Sequence, residues 1–594
     1  MLKIELKDTF LAPRQRKNIE VTLPAVLKQC EETGRLDAFK LNWTPDCGRE
    51  APHVFWDSDV AKVVEGMARV AAESPEMASR LEAIVPLIVS AQQSDGYLNT
   101  HFSVTEQDKR WSRLAFNHEL YCAGHLTEAA VAHFEATGKR EFLDAMRRYC
   151  DYICEYFGEN GNQGYPGHEE IELALVKLYR ATGDGKYLNQ AKLFIDRRGT
   201  EPNYFAEKEG VSTGWLKNLQ AHKPVREQTE AVGHSVRALY LYSGMADVAK
   251  ETGDAELLAV CERLFDDIVE NKIFITGGVG SQEIGEAIGN AEDLVYERSY
   301  AESCAAIAMI LFASRMLQIT GKAKYADAIE RTLYNCALAG ISLDGDKFFY
   351  ANPHSSHRTQ RSEAHISTTR QPWHTCSCCP TNYARFLPQL GSFCYRADGE
   401  NVYIDISAAG RIEGDGLVLE IVSDYPFSGK VVVKCVSGGG RLNVRVPRWC
   451  RNYEVPECGI VEEGYWRGSI VVGQDVCFYF DMPVDVVFSR IPSLAGKAAL
   501  CRGPLVYCVE MSTKSEMSPF ELILSPSSEF TLEGVEGLTE GCVGIRFTAM
   551  RQRKPSRLYS VEKRQLEHAS AVAIPYALWQ NRGDAEMTIF IPYK

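Results

Sequence analysis

Between roughly residues 60 and 390 the apolar positions recur with the spacing of amphipathic helices arranged as hairpins, and a degenerate repeat runs through them. Four times a helix carrying a polar residue leads to a Thr-Gly turn and a second helix: His125 to Thr137-Gly138, His168 to Thr182-Gly183, His234 to Thr252-Gly253, and Cys304 to Thr320-Gly321. Glycine after the last helical turn is the expected stop signal. In each repeat the thiol or imidazole lies 12 to 18 residues before that turn, at one end of the leading helix. Such hairpins stack as an open solenoid or close into a ring. Only a ring gathers one end of every inner helix around a single cavity, so the pattern predicts a closed α/α barrel over residues 11–393.

Near residue 395 the period changes. Short β-rich runs such as Val402-Tyr403-Ile404-Asp405-Ile406 and Lys430-Val431-Val432-Val433-Lys434, separated by glycine clusters, predict an all-β sandwich over residues 394–490. The alternation Leu2-Lys3-Ile4-Glu5-Leu6 is expected to add an N-terminal strand within residues 1–10. A second set, from Leu505-Val506-Tyr507 to Met587-Thr588-Ile589-Phe590-Ile591, predicts a C-terminal β-sandwich over residues 491–594.

Composition narrows the partners. The chain has 594 residues, 45% of them hydrophobic, and a net charge of -14, which argues against nucleic acid or an anionic membrane as the main partner. No stretch approaches the ~20 apolar residues of a membrane span, and Met1-Leu2-Lys3-Ile4-Glu5-Leu6-Lys7-Asp8 lacks an apolar signal core. The 19 cysteines show no disulfide spacing, so a reducing cytoplasm is expected. Whether the protein forms a homo-oligomer is left open.

The densest chemistry lies in Trp373-His374-Thr375-Cys376-Ser377-Cys378-Cys379-Pro380, downstream of Glu302-Ser303-Cys304. Three thiolates and a carboxylate can complete a tetrahedral soft-metal site. Adjacent residues of a regular element point apart, so a shared ion needs a backbone turn at Cys378-Cys379 and a helix that begins just at Glu302-Cys304. Pro380 suits the turn, as the first residue of a helix through Thr381-Asn382-Tyr383. Buried, inert thiols are the competing reading. Cys150 and Cys154, at i,i+4, read as a packed face.

Asn271 to Ser281 is glycine-rich but lacks the spacing, lysine and βαβ context of a nucleotide loop. Beyond it Glu283, Glu286 and Glu292 are each candidates for a general acid on a loop. His118 and His125 share a helix face, and His168 and His234 stand at helix starts, suggesting a polar pocket.

Together, Gly285-Glu286-Ala287, Tyr300-Ala301-Glu302-Ser303-Cys304-Ala305 and Cys378-Cys379-Pro380-Thr381-Asn382, supported by Gln93-Ser94-Asp95-Gly96-Tyr97-Leu98 and the run Tyr240 to Val248, resemble the zinc-dependent β-L-arabinofuranosidases of glycoside hydrolase family 127. The resemblance spans roughly residues 40 to 400. It implies an (α/α)6 barrel followed by β-sandwiches, and a Zn²⁺ held by Glu302, Cys304, Cys378 and Cys379. It further implies Cys378 as nucleophile, Glu286 as general acid/base, His118, His168 and His234 as sugar contacts, and a small glycoside or oligosaccharide as substrate. Cys376 lies close enough to compete for any of the thiol roles. The competing functional readings are a related glycosidase for another furanose or a branched acidic sugar, and a carbohydrate-binding protein with a structural zinc.

Overall fold

A computed structural model describes residues 2–360, 365–414, 416–553, 555, 557–561 and 565–594. Among these, six helices are mostly buried: α1 (Trp56–Val70), α2 (Glu119–Thr137), α3 (Ile171–Thr182), α4 (Ser235–Thr252), α5 (Ser303–Thr320) and α6 (Cys378–Phe386). Each packs against the next, and α6 packs back against α1, closing a circuit. Each of the first five also packs against the helix that follows it in the chain. Glu141–Phe157, for instance, buries Phe142, Met146, Tyr149, Cys150 and Ile153 on one face, which makes Cys150 the packing residue its spacing suggested.

Close approach within the ring depends on glycine. A Cβ on Gly66 of α1 would stand 2.5 Å from the Ala384 carbonyl of α6, and one on Gly124 of α2 would stand 2.9 Å from the Ile171 nitrogen of α3. On Gly244 of α4 it would meet Glu172 Cβ of α3 at 2.9 Å. Any larger residue there would push neighbouring inner helices apart. The four Thr-Gly turns stop their helices as expected: Gly138, Gly183, Gly253 and Gly321 adopt left-handed φ values of 71°, 74°, 70° and 68°. Their N–H groups bond to Phe134, Tyr179, Ala249 and Leu317 carbonyls. By length and composition α5 is apolar enough to cross a membrane, but two thirds of it is buried inside the ring.

Past Cys394 the chain turns to strands. Among the described residues, a six-stranded sheet includes Lys3–Leu6, paired antiparallel with Gly410–Gly414, so the N-terminal alternation joins a sheet as expected. A five-stranded sheet faces it, with Trp466 meeting Phe478 across the gap at 5.1 Å between ring centroids. The last region is also built of strands. Its strands join one hydrogen-bonded network of ten, which takes in Val484–Phe488 and, from the helical region, Ser355–Ser356 paired with Ala585–Thr588. Cross-links between regions reinforce the pairing: Arg358 forks onto Glu586 at 2.9 to 3.1 Å, and Asn335 donates to the Pro504 carbonyl at 2.9 Å.

Candidate active site

All six inner helices begin at one cavity of about 320 Å³. Phe55, His118, His168, His234, Glu302 and Cys378 line it, one from the start of each helix. Helix N-termini carry unpaired N–H groups and partial positive charge, so this end of the ring favours thiolates and carboxylates.

Two short antiparallel pairs aim the carboxylates. Glu302 pairs with Ala351 immediately before α5 begins at Ser303, the early helix start that ligand sharing required. His234 pairs with Ala287 immediately before α4, pinning the loop that carries Glu286. Gly285 and Glu286 both take left-handed φ values, 73° and 52°. A Cβ at Gly285 would meet Asn218 Oδ1 at 2.8 Å, so only glycine fits this turn.

Glu302, Cys304, Cys378 and Cys379 offer one donor atom each within 4.8 Å of one another. Cys304 and Cys379 sulfurs are 3.4 Å apart, Cys378 and Cys379 sulfurs 3.8 Å, and Glu302 Oε1 lies 3.7 Å from Cys378 and 3.8 Å from Cys379. A tetrahedron with metal–sulfur bonds of about 2.3 Å has edges of roughly 3.8 Å, so these donors already stand at a tetrahedral spacing. The buried Glu302 Oε2 has no hydrogen-bond partner among the described residues. Burial, followed by the negative potential of Cys378, drives the Glu302 carboxyl well above its usual range. Burial raises the Cys304 thiol too, but hydrogen bonding with Cys378 and Cys379 outweighs it and brings the thiol down to about 6. A buried acidic and thiol cluster of this kind is stable in its charged form only around a cation, and the donor set fits a soft one.

Cys376 falls outside the cluster. Its sulfur sits 3.9 Å from the Tyr350 hydroxyl. Helix α6 starts two residues earlier than Pro380 suggested: Ser377 is the N-cap, and Cys378 and Cys379 occupy the first turn. Arg35 holds this segment. It is 3% exposed, lies between the Trp56 and Trp373 rings at 5.1 Å from each, and pairs with Asp59 at 2.9 Å. It also donates to the Thr375 carbonyl at 3.0 Å and Ser377 Oγ at 3.4 Å.

Of the three candidate loop acids, only Glu286 lines the cavity. Glu283 faces Arg298 at 3.5 Å and Glu292 faces Arg490 at 2.9 Å. Glu286 accepts from His234 Nε2 at 2.6 Å, Tyr300 at 2.7 Å and Tyr350 at 3.2 Å, and lies 3.2 Å from His365 Nδ1. Burial pushes its carboxyl up, but the hydrogen bonds from His234 and His365 more than reverse this and hold it far below the usual range.

The three pocket histidines form an arc, His118 to His168 and His168 to His234 each 5.5 Å between ring centres. Burial lowers all three, His118 to about 3, which favours their neutral forms, while Glu286 partly offsets this at His234. Carbonyls of Phe116 and Glu169 take the Nδ1 protons of His118 and His168, which leaves each Nε2 an acceptor. His125, grouped with the repeat in the sequence, is two turns deeper, fully buried and 3.1 Å from Glu170. The residue that begins α2 at the cavity is His118.

Sequence reasoning missed Arg35, Tyr121, Arg237, Tyr350 and His365, and quoted Tyr300 without a role. Tyr300 stood two residues from Glu302 in a recognised motif. His365 lies on a connecting segment with no helical or strand period, its ring stacked on Tyr350 with centroids 3.8 Å apart.

Residues 3–392 match the family model for the β-L-arabinofuranosidase, GH127 catalytic domain, and residues 488–592 match that for the glycoside hydrolase family 127 C-terminal domain. A non-reducing end β-L-arabinofuranosidase of Bifidobacterium longum subsp. longum is 33% identical over 586 residues, covering 90% of this chain and 89% of that protein. The crystal structure of a GH127 β-L-arabinofuranosidase from Geobacillus stearothermophilus T6 superimposes with a TM-score of 0.94 at 36% identity, covering 100% of both chains. A GH127 β-arabinofuranosidase structure superimposes with a TM-score of 0.90 at 34% identity, covering 100% of this chain and 96% of that one. With residues 3–392 and 488–592 matched and its whole length superimposed, the chain belongs to glycoside hydrolase family 127 and is a glycosidase.

Proposed function

We propose that this glycosidase releases L-arabinofuranose from the non-reducing ends of β-L-arabinofuranosides with retention of anomeric configuration, using Cys378 as nucleophile and Glu286 as acid/base. The reading extends to an (α/α)6 barrel over residues 11–393, with β domains over 394–490 and 491–594. The names of the relatives support the sugar. One observation supports the chemistry: the Tyr350 hydroxyl lies 3.2 Å from Glu286 Oε1 and 3.5 Å from Cys378 Sγ. Nucleophile and carboxylate thus share one hydroxyl partner and lie no farther apart than two hydrogen-bond lengths, a bound that accommodates the short separation of retaining glycosidases.

Glu302, Cys304, Cys378 and Cys379 would hold a zinc ion. When bound, zinc keeps thiols deprotonated at neutral pH and offsets their charge. In the first half-reaction Cys378 Sγ bonds to the anomeric carbon while the bond to the leaving oxygen breaks, and Glu286 gives that oxygen its proton. In the second, Glu286 takes a proton from water as its oxygen attacks the same carbon, and the carbon–sulfur bond breaks to restore the thiolate. The donors around Glu286 favour its ionised form, the one required for the second half. An entering sugar that competes for His234 and Tyr350 raises its carboxyl towards the protonated form required for the first. His118 and His168 accept from sugar hydroxyls through Nε2. The 19 free thiols support activity on short glycosides in a reducing compartment.

Hydrolysis of a panel of nitrophenyl furanosides, with the product anomer followed by NMR, tests the reading. The β-L-arabinofuranoside should be the preferred substrate and the first product its β-anomer. Preference for another furanose would overturn the substrate, and an inverted product would overturn the covalent mechanism.

A further inference from the structure

A groove of about 960 Å³ adjoins the active-site cavity of about 320 Å³, and Phe55, His365 and Cys376 belong to the walls of both. We infer that this groove binds the leaving side of the substrate as a neutral glycan chain of at least two sugars. The inference rests on the glycosidase reading above for its direction, since His365 of the shared wall lies 3.2 Å from Glu286, the group that would protonate the leaving oxygen.

The lining has the chemistry for it. Trp43 and Trp373 are half-buried on its walls. An aromatic face left partly open matches the C–H face of a sugar ring, while polar groups at its margin meet the hydroxyls. Trp43 is held ready for this contact: its indole N–H donates to the Arg49 carbonyl at 3.1 Å, and Arg49 donates back to the Asn42 side chain at 2.8 Å. The residue 42–49 turn is therefore self-braced and keeps the ring in place without substrate. The first cavity, enclosed by the histidine arc and the thiols, needs no such extension for a single sugar.

Charge selects the class of chain. Among the described groove residues the carboxylates Glu31, Glu32, Asp37 and Glu50 outnumber the guanidiniums Arg35 and Arg49, and Arg35 is already paired with Asp59 at 2.9 Å. Lys40, Arg80 and Lys28 offset Asp37, Glu31 and Glu32 from outside, at 2.7, 3.5 and 3.6 Å, which leaves Glu50 against Arg49. The balance leaves no excess positive charge to receive a uronate, so a neutral chain is favoured over an acidic one.

Trp43 is the residue to change, because Trp373 packs on Arg35 and its loss would disturb the cysteine segment. Trp43→Ala should lower kcat/KM for a β-linked L-arabinofuranosyl trisaccharide about tenfold, mainly through KM, and leave the nitrophenyl monoglycoside within about twofold. Trp43→Phe, which keeps an aromatic face and loses the N–H, should restore most of the trisaccharide rate. Calorimetric binding of the trisaccharide to Glu286→Gln should weaken in parallel when Trp43→Ala is added. Equal effects on both substrates, or none on either, would overturn the groove assignment while leaving the proposed reaction intact. If neither substrate is hydrolysed but the trisaccharide binds in a Trp43-dependent way, the groove stands and the reaction is wrong. Tighter binding of a uronate-bearing chain than of the neutral one would overturn the charge argument.

Discussion

His234 donates its Nε2 proton to Glu286 Oε2 across 2.6 Å, while its Nδ1 accepts from the Val236 backbone N–H at 3.3 Å. That second bond fixes the tautomer, so the imidazole carries its proton on Nε2 and donates a hydrogen bond from there to the carboxylate. Glu286 is depressed below the ordinary carboxylate range despite its burial, and a depressed group loses its charge only as pH falls through its lowered value. His234→Phe removes the shortest donor and should raise the pKa of Glu286, moving upward the basic limb of the kcat/KM profile, where Glu286 must be protonated as general acid. An unshifted limb, with zinc content unchanged, would show that His234 does not set the state of Glu286.

Glu286→Gln keeps the hydrogen-bonding shape but can neither give nor take the proton. Activity on an alkyl or sugar leaving group should fall by ~10²- to 10⁴-fold, with a smaller loss in the first step for a nitrophenyl leaving group. The variant should accumulate glycosylated Cys378, visible as an added mass on that residue, and azide should restore turnover. Near-normal rates on both leaving groups would remove Glu286 from the chemistry.

Purified protein should contain about one zinc per chain by elemental analysis. Cys304→Ser or Cys379→Ser should lose metal and activity together, whereas Cys376→Ser, outside the four-donor cluster, should keep the metal. Metal loss from Cys376→Ser equal to that from Cys379→Ser would mean that the cluster is drawn from the wrong thiols.

Arg35 is paired with Asp59 and braces the carbonyl of Thr375, so Arg35→Met leaves a buried carboxylate unmatched. Loss of one partner of a buried pair typically costs about 3–5 kcal/mol. Thermal unfolding should record that loss. Zinc affinity, measured by chelator competition, should fall about 10- to 100-fold, the range for groups that orient ligands. Undiminished zinc affinity in a destabilised Arg35→Met would confine the residue to a packing role.

The sequence made legible whatever local chemistry determines. Gly138, Gly183, Gly253 and Gly321 stop helices because glycine alone takes the left-handed cap cheaply, and Glu302 with Cys304 can share a site because the helix starts between them. His125 misled because its spacing from the turn resembles that of the other repeats, while the left-handed φ of 56° at His118, which starts the helix there, has no glycine to announce it. Tyr350, His365 and Arg35 were invisible for a different reason. They reach the site through contacts between segments far apart in the chain, and nothing in their own neighbourhoods differs from ordinary loop or core. The C-terminal strands were recognised individually, but a sheet that recruits Ser355–Ser356 from the helical region leaves no local trace.

The circuit of inner helices also sets when the site can exist during synthesis. Glu302 and Cys304 lie at the start of α5 and Cys378 and Cys379 at the start of α6, the element that completes the circuit against α1. Until the final inner helix has left the ribosome and docked against the first, two donors have nothing to converge on. Metal uptake by the nascent chain would therefore mark the moment at which its topology becomes complete.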